Sequence, residues 1–166
     1  VAMKGINDHE VSELVDYCIA NDFTLRFIET MPMGDLGYDR QKYYLPLTEV
    51  KADIESRFAL EPAVMPGGGP ADYVHVKGTP LRIGFITPIS QHFCARCNRV
   101  RLTADGMLYL CLGQEHAVDL KTPVRAGISD DDLEVILRDA IRIKPERHEF
   151  VEKPGQVIRI MSETGG

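Results

Sequence analysis

Three of the four cysteines, Cys94, Cys97 and Cys111, fall within twenty residues, "FCARCNRVRLTADGMLYLCL" (93–112), together with Arg96, Arg99 and Arg101. A thiolate is a soft metal ligand, and an arginine fork suits a phosphate or the polar edge of a base. Gathered on one short turn, the two residue types point to a metal site that also holds an anion or nucleotide.

Cys94 and Cys97 form a C-x2-C pair, and thirteen residues separate Cys97 from Cys111. An extended spacer of that length would carry Cys111 tens of ångströms away, so the chain must reverse for one site to use all three. Ala104-Asp105-Gly106 supplies the reversal. A two-residue Asp105-Gly106 turn would mix polar and apolar residues on both faces of the hairpin. A three-residue loop with Gly106 in the left-handed conformation pairs Arg101 with Tyr109, Thr103 with Met107 and Arg99 with Cys111. It also gathers Val100, Leu102, Leu108 and Leu110 on the opposite face, an apolar set that fixes register. The second register is therefore expected, with Cys111, Arg99 and Arg101 on one side. Three cysteines do not complete a structural zinc site, for which His92 or His116 would have to be the fourth ligand. They could instead hold a cubane iron–sulfur cluster that leaves one iron without a protein thiolate.

Around this turn, the chain must supply elements that hold it. The 166 residues, 44% of them hydrophobic, suffice for an ordinary core, and the net charge of −6 argues against a duplex nucleic-acid binder. No apolar run approaches the ~20 residues that span a bilayer, and no cleavable signal pattern opens the chain. The sequence reads as a soluble cytoplasmic protein. Asp8 is a candidate cap for a helix running to about Asn21, with Val11, Leu14, Val15, Cys18 and Ile19 on its apolar face. Cys18 thus reads as a core residue. "TLRFIET" reads as a strand, so strand-like residues at the start, helix and strand make a βαβ unit, with Arg26 and Glu29 near the strand's carboxyl end. Arg26 fits a salt bridge or a ligand contact. Thr48 is a candidate cap for a helix bearing Val50, Ile54 and Phe58. "PGGGP" (66–70) is a turn lacking the lysine of a phosphate loop. Strands are expected at 72–77 and 81–87, and a helix opens at Ser129, with Leu133, Ile136, Leu137, Ala140 and Ile141 facing a core and Pro145 ending it.

"FCARCNRVRLTADGMLYLCL", "LRFIE" upstream and the terminal Gly-Gly pair together closely resemble the C-terminal half of the GTP 3′,8-cyclases, the MoaA-type radical SAM enzymes of molybdenum cofactor biosynthesis. The resemblance implies that Cys94, Cys97 and Cys111 hold a C-terminal [4Fe-4S] cluster whose open iron contacts the guanine of GTP. It implies that Arg99 and Arg101 contact the nucleotide, that Arg26 lies near the triphosphate, and that Gly165 and Gly166 reach into the active site. The fold it implies is α/β: residues 1–30 as the last βα elements of an incomplete TIM barrel, and 31–166 as an α+β iron–sulfur and GTP-binding domain with antiparallel strands. Family members carry a C-x3-C-x2-C motif in an N-terminal half. There a second [4Fe-4S] cluster binds S-adenosylmethionine, and the intact enzyme can be a homodimer. These 166 residues contain no such motif, so the chain is expected to be a portion without the radical-generating site and inactive alone. Its partners would be GTP and the missing N-terminal half. The rivals are a Cys3His zinc module for protein contacts and an electron-transfer iron–sulfur domain.

Overall fold

A computed structural model of the chain describes residues 1–34, 41–67, 69–153 and 155–164. It divides into two compact units, Val1–Met31 with Asp39–Arg96 and Pro32–Tyr38 with Cys97–Gly166.

The first unit is a mixed sheet covered on one face by two helices. Its strands are β1 (Leu25–Ile28), β2 (Leu60–Ala63), β3 (Asp72–Val76) and β4 (Arg82–Ile86), in the order β1-β4-β3-β2. β1 runs parallel to β4, and the other pairs are antiparallel. Helix α1 (Val11–Ala20) follows a short 3₁₀ turn at Asp8–Glu10, and α2 (Leu47–Arg57) begins after Pro46. Val11, Val15 and Cys18 of α1 and Leu47, Val50 and Ile54 of α2 meet Phe27, Val74, Val76, Ile83 and Phe85 of the sheet in one core. This is the packing that helical spacing on one side and alternation on the other require.

Several sequence expectations change here. The opening residues form no strand. Among the described residues, a hydrogen bond from Ala2 N–H to Ile28 O at 3.2 Å ties them to β1. The strand beside β1 is β4, far along the chain, so the parallel pair is closed through α2 and two antiparallel strands instead of directly through α1. Neither Asp8 nor Thr48 caps its helix, because the α1 cap position falls at Glu10 and the α2 cap at Pro46. Strand β2 was not anticipated. It contains Pro62, which an edge strand tolerates because an edge leaves some N–H positions unneeded.

The second unit is built on a three-stranded antiparallel sheet of β5 (Arg101–Leu102), β6 (Met107–Tyr109) and β7 (Ala117–Asp119). Short helix α3 (Lys121–Arg125) and long helix α4 (Asp130–Arg142) follow. The Ser129 hydroxyl accepts the Asp132 N–H, and three aspartates fill the first turn of α4, so the expected start is confirmed by its cap and dipole chemistry. Leu133, Ile136 and Ala140 pack on Leu108, Leu110, Val118 and Leu120. Leu137 and Ile141, expected on the same face, are exposed. The core of this unit is small, and in it the helix packs on residues in and beside β6 and β7.

Candidate functional site

The hairpin has the three-residue loop. Arg101 pairs with Tyr109 and Leu102 with Leu108, while Thr103 N–H donates to Met107 O at 3.0 Å. Gly106 has φ +85°, and a Cβ there would lie 2.8 Å from the Lys121 side chain. Both facts require glycine. Thr103 adds a local lock, its hydroxyl bonding the Asp105 carboxylate and accepting the Met107 N–H.

The register alternates faces as expected, but only half of the apolar face is buried. Leu108 and Leu110 are core, whereas Val100 is 37% and Leu102 57% exposed. They lie on or beside edge strand β5 and are not part of the cluster under α4. On the other face, two residues on from the Arg101–Tyr109 pair, are Arg99 and Cys111. The ladder has ended there, and the Lys144 ammonium spans the two arms. It donates to Arg99 O at 3.0 Å and to Leu110 O at 2.5 Å.

Cys111 is half-buried and is followed by a tightly held loop. Arg159, 8% exposed, donates through Nε to Glu115 at 2.9 Å and through Nη2 to the Gln114 carbonyl, with Leu112 O at 3.5 Å. Its guanidinium lies 3.9 Å over the Tyr109 ring, on the hairpin face that carries Arg101. Nη1 is buried with no partner among the described residues. A donor left in that state costs ~1–3 kcal/mol, an uncommon expense in a settled core. Gly113 lets the backbone pass close by, since a Cβ there would stand 2.6 Å from that of His148.

Cys94 lies in a 3₁₀ turn, Cys94–Arg96, at the end of the first unit, and Cys97 opens the second, so the division falls inside the C-x2-C pair. The turn is anchored by Arg96, whose Nη2 bonds both oxygens of Asp72 at 3.0 and 3.1 Å. Cys94, Cys97 and Cys111 form no disulfide and are of intermediate exposure, while Cys18 is buried in the first core, where burial pushes its thiol pKa up. As a donor set, three accessible thiols fit an iron–sulfur group, and Cys18 stands apart from it. His116 has its Nδ1 3.1 Å from Gln114 Oε1. Arg99 and Arg101 make no side-chain hydrogen bond or ion pair among the described residues, whereas Arg96, Arg138, Arg142 and Arg159 are all paired with carboxylates. Gly165 and Gly166 lie outside the described residues.

Arg26 is exposed on β1, and its Nε donates to the Tyr73 hydroxyl at 2.5 Å. Arg26 and Tyr73 are both ladder partners of Gly84, on the strand between theirs. A Cβ on Gly84 would come within 2.8 Å of the Tyr73 ring, so the glycine opens the path by which tyrosine reaches arginine. Glu29, just beyond β1, is 1% exposed and accepts from the N–H groups of Leu47, Ile89 and Ser90 and the hydroxyls of Tyr44 and Ser90. It clamps the sheet end, the start of α2 and the loop after β4. Tyr73, Gly84, Lys144 and Arg159 were not singled out by sequence reasoning as site residues. Only Gly84, between the apolar residues Ile83 and Phe85 of its strand, carried a local signal of close approach.

Residues 23–150 match the family model described as "Molybdenum Cofactor Synthesis C". The chain belongs to this family. GTP 3′,8-cyclase of Paracoccus denitrificans is 46% identical over the whole chain, and those of Rhizobium etli and Agrobacterium fabrum are 46% and 47% identical. The chain spans about half the length of these curated relatives (50%, 49% and 49%). No helix among the described residues is long and apolar enough to cross a membrane.

Proposed function

We propose that this member of the Molybdenum Cofactor Synthesis C family is the C-terminal, substrate-binding portion of a GTP 3′,8-cyclase. Cys94, Cys97 and Cys111 hold a [4Fe-4S] cluster, and Arg99 and Arg101 receive GTP beside it. The observation that carries this reading is a pair of guanidinium groups with no side-chain partner among the described residues, on a hairpin flanked by cysteines that form no disulfide, in a chain of net charge −6 with acids to spare. When bound, the cluster supplies an iron without a protein thiolate, a Lewis acid for a nitrogen or oxygen of guanine. The protein residues bind and orient: Arg99 and Arg101 with forked donors at the base or ribose, and Arg26, fixed by Tyr73, at a phosphate. Gly165 and Gly166, outside the described residues, are assigned to the same active site.

In this reading residues 1–30 are the last βα elements of an incomplete TIM barrel, and 31–166 are the cluster and nucleotide domain. The S-adenosylmethionine site and its cluster lie in the other half of a cytoplasmic enzyme that works as a homodimer, and this chain alone turns over no GTP.

The test is anaerobic reconstitution of the chain, followed by GTP titration against the electron paramagnetic resonance signal of the reduced cluster. GTP is expected to shift the signal. Arg99→Ala and Arg101→Ala should each raise the GTP concentration required by roughly tenfold or more, the loss of one charge-assisted hydrogen bond. Lysine at either position restores charge without the fork and so only part of the affinity. A signal indifferent to GTP, or alanine variants that titrate like the parent, would contradict the reading.

A further inference from the structure

Cys111 stands between two backbone carbonyls, and cations reach both. On its N-terminal side Lys144 takes Leu110 O, together with Arg99 O across the hairpin, at 2.5 and 3.0 Å. On its C-terminal side Arg159 takes Gln114 O and reaches Leu112 O at 3.5 Å. The two side chains come from separate places: Lys144 follows the end of α4, and Arg159 belongs to a segment beyond residue 155.

The geometry explains why a cation is needed at Lys144. β5 and β6 stop pairing at Arg101 and Tyr109, so no ladder N–H serves the carbonyls of Arg99 and Leu110. Two carbonyl oxygens close enough to share one ammonium repel each other unless a positive donor stands between them. Lysine, with three donors on a point charge, meets that need. α4 is held against the hairpin by Ala140, Leu133 and Ile136 on Leu108 and Leu110, so the end of the helix delivers Lys144 to a fixed position. Arg159 is similarly held, by Glu115 and by stacking on Tyr109.

We propose that Lys144 and Arg159 are positioning residues for Cys111. They grip the backbone before and after it so that its thiolate and the Arg99 arm keep one orientation toward the group that the cysteines bind. The inference rests on the cluster reading given above. It assigns the end of α4 a role beyond packing, and it makes the late segment around Arg159 part of the ligand's support.

The experiment uses the anaerobically reconstituted chain carrying Lys144→Met, Lys144→Arg, Arg159→Lys or, as a surface control, Arg138→Met. Iron release to a chelator is followed in each, and the alkylation rate of Cys111 relative to Cys97 is measured by mass spectrometry in the metal-free chains. Lys144→Met and Arg159→Lys are expected to release iron about tenfold faster, the usual scale for losing a group that orients a metal ligand. Alkylation of Cys111 should rise relative to Cys97, Lys144→Arg should recover most of the difference, and Arg138→Met should match the parent. Should Arg159→Lys lose its fold by circular dichroism, Lys144→Met, at a half-buried position, carries the comparison. Parent-like release from loaded Lys144→Met, with an unchanged alkylation ratio, overturns the positioning role and leaves the cluster reading standing. A parent chain that takes up no iron or sulfide overturns the cluster reading, and the positioning of Cys111 then stands or falls on the alkylation ratio alone.

Discussion

The two units hold their candidate residues by different means. In the first, Arg26 rides on a four-stranded sheet backed by a large apolar core, and its side chain is set by one neighbour, Tyr73. In the second, Arg99, Arg101 and Cys111 belong to a hairpin whose first strand is two residues long and which packs, among the described residues, on a small cluster built from Leu108, Leu110, Leu120 and Ala140. There the backbone is secured by charged side chains, Lys144 and Arg159, that bond carbonyls directly. Where apolar burial is plentiful, packing fixes position. Where it is scarce, directional polar bonds do so, and a bound metal group can supply more of the order.

The sharpest way to break this contrast is through the Glu29 clamp of the first unit. Glu29→Ala leaves three backbone N–H groups and a serine hydroxyl without their acceptor, and a loss of about 3 kcal/mol or more is expected, since each unsatisfied buried donor costs about 1–3 kcal/mol. Chemical denaturation measures it. A loss below about 1 kcal/mol would mean that the core alone holds the end of the sheet.

Gly84→Ala comes next. Its new Cβ must displace the Tyr73 ring, costing about 1–3 kcal/mol and freeing Arg26. Denaturation gives the cost, and Tyr73→Phe should reproduce the freed arginine, seen as weakened GTP binding, without the strain.

The third effect is a pH dependence confined to the first unit. Tyr44 is pushed up to about 12 by burial and by the Glu29 carboxylate, above the ordinary tyrosine value of 10.0. The unfolded chain therefore ionises first. The stabilisation is complete below pH ~10, declines as pH rises from there, and is gone once the pH has passed the folded value. Stability followed across that range should fall less in Tyr44→Phe than in the parent. The smallest effect belongs to the exposed strand: Leu102→Ala should stay within about 0.5 kcal/mol, against the several expected had both halves of the apolar face been buried.

The contrast also explains what could be read from the sequence. The hairpin was legible down to its register, because a short loop with a left-handed glycine and an alternating apolar face are local properties. Alternation says which face of a strand is apolar, but not which strand a helix will cover, and so Val100 and Leu102 were misjudged. The C-terminal helix was legible from Ser129, its acids and its spacing, but Lys144 acquires its role only when its end meets residues 45 and 34 positions earlier. Tyr73 and Arg26 are neighbours only because β4 lies between β1 and β3, an order that no local pattern encodes. The cysteines stood out because thiol spacing is itself a chemical signal.

The most direct test of the central claim is iron and sulfide content after anaerobic reconstitution of the chain and its four cysteine-to-serine variants. Cys94→Ser, Cys97→Ser and Cys111→Ser are expected to lose the cluster, while Cys18→Ser, altered only inside the first core, should retain it. Retention in any of the first three, or equal loss in a well-folded Cys18→Ser, would contradict the three-cysteine site.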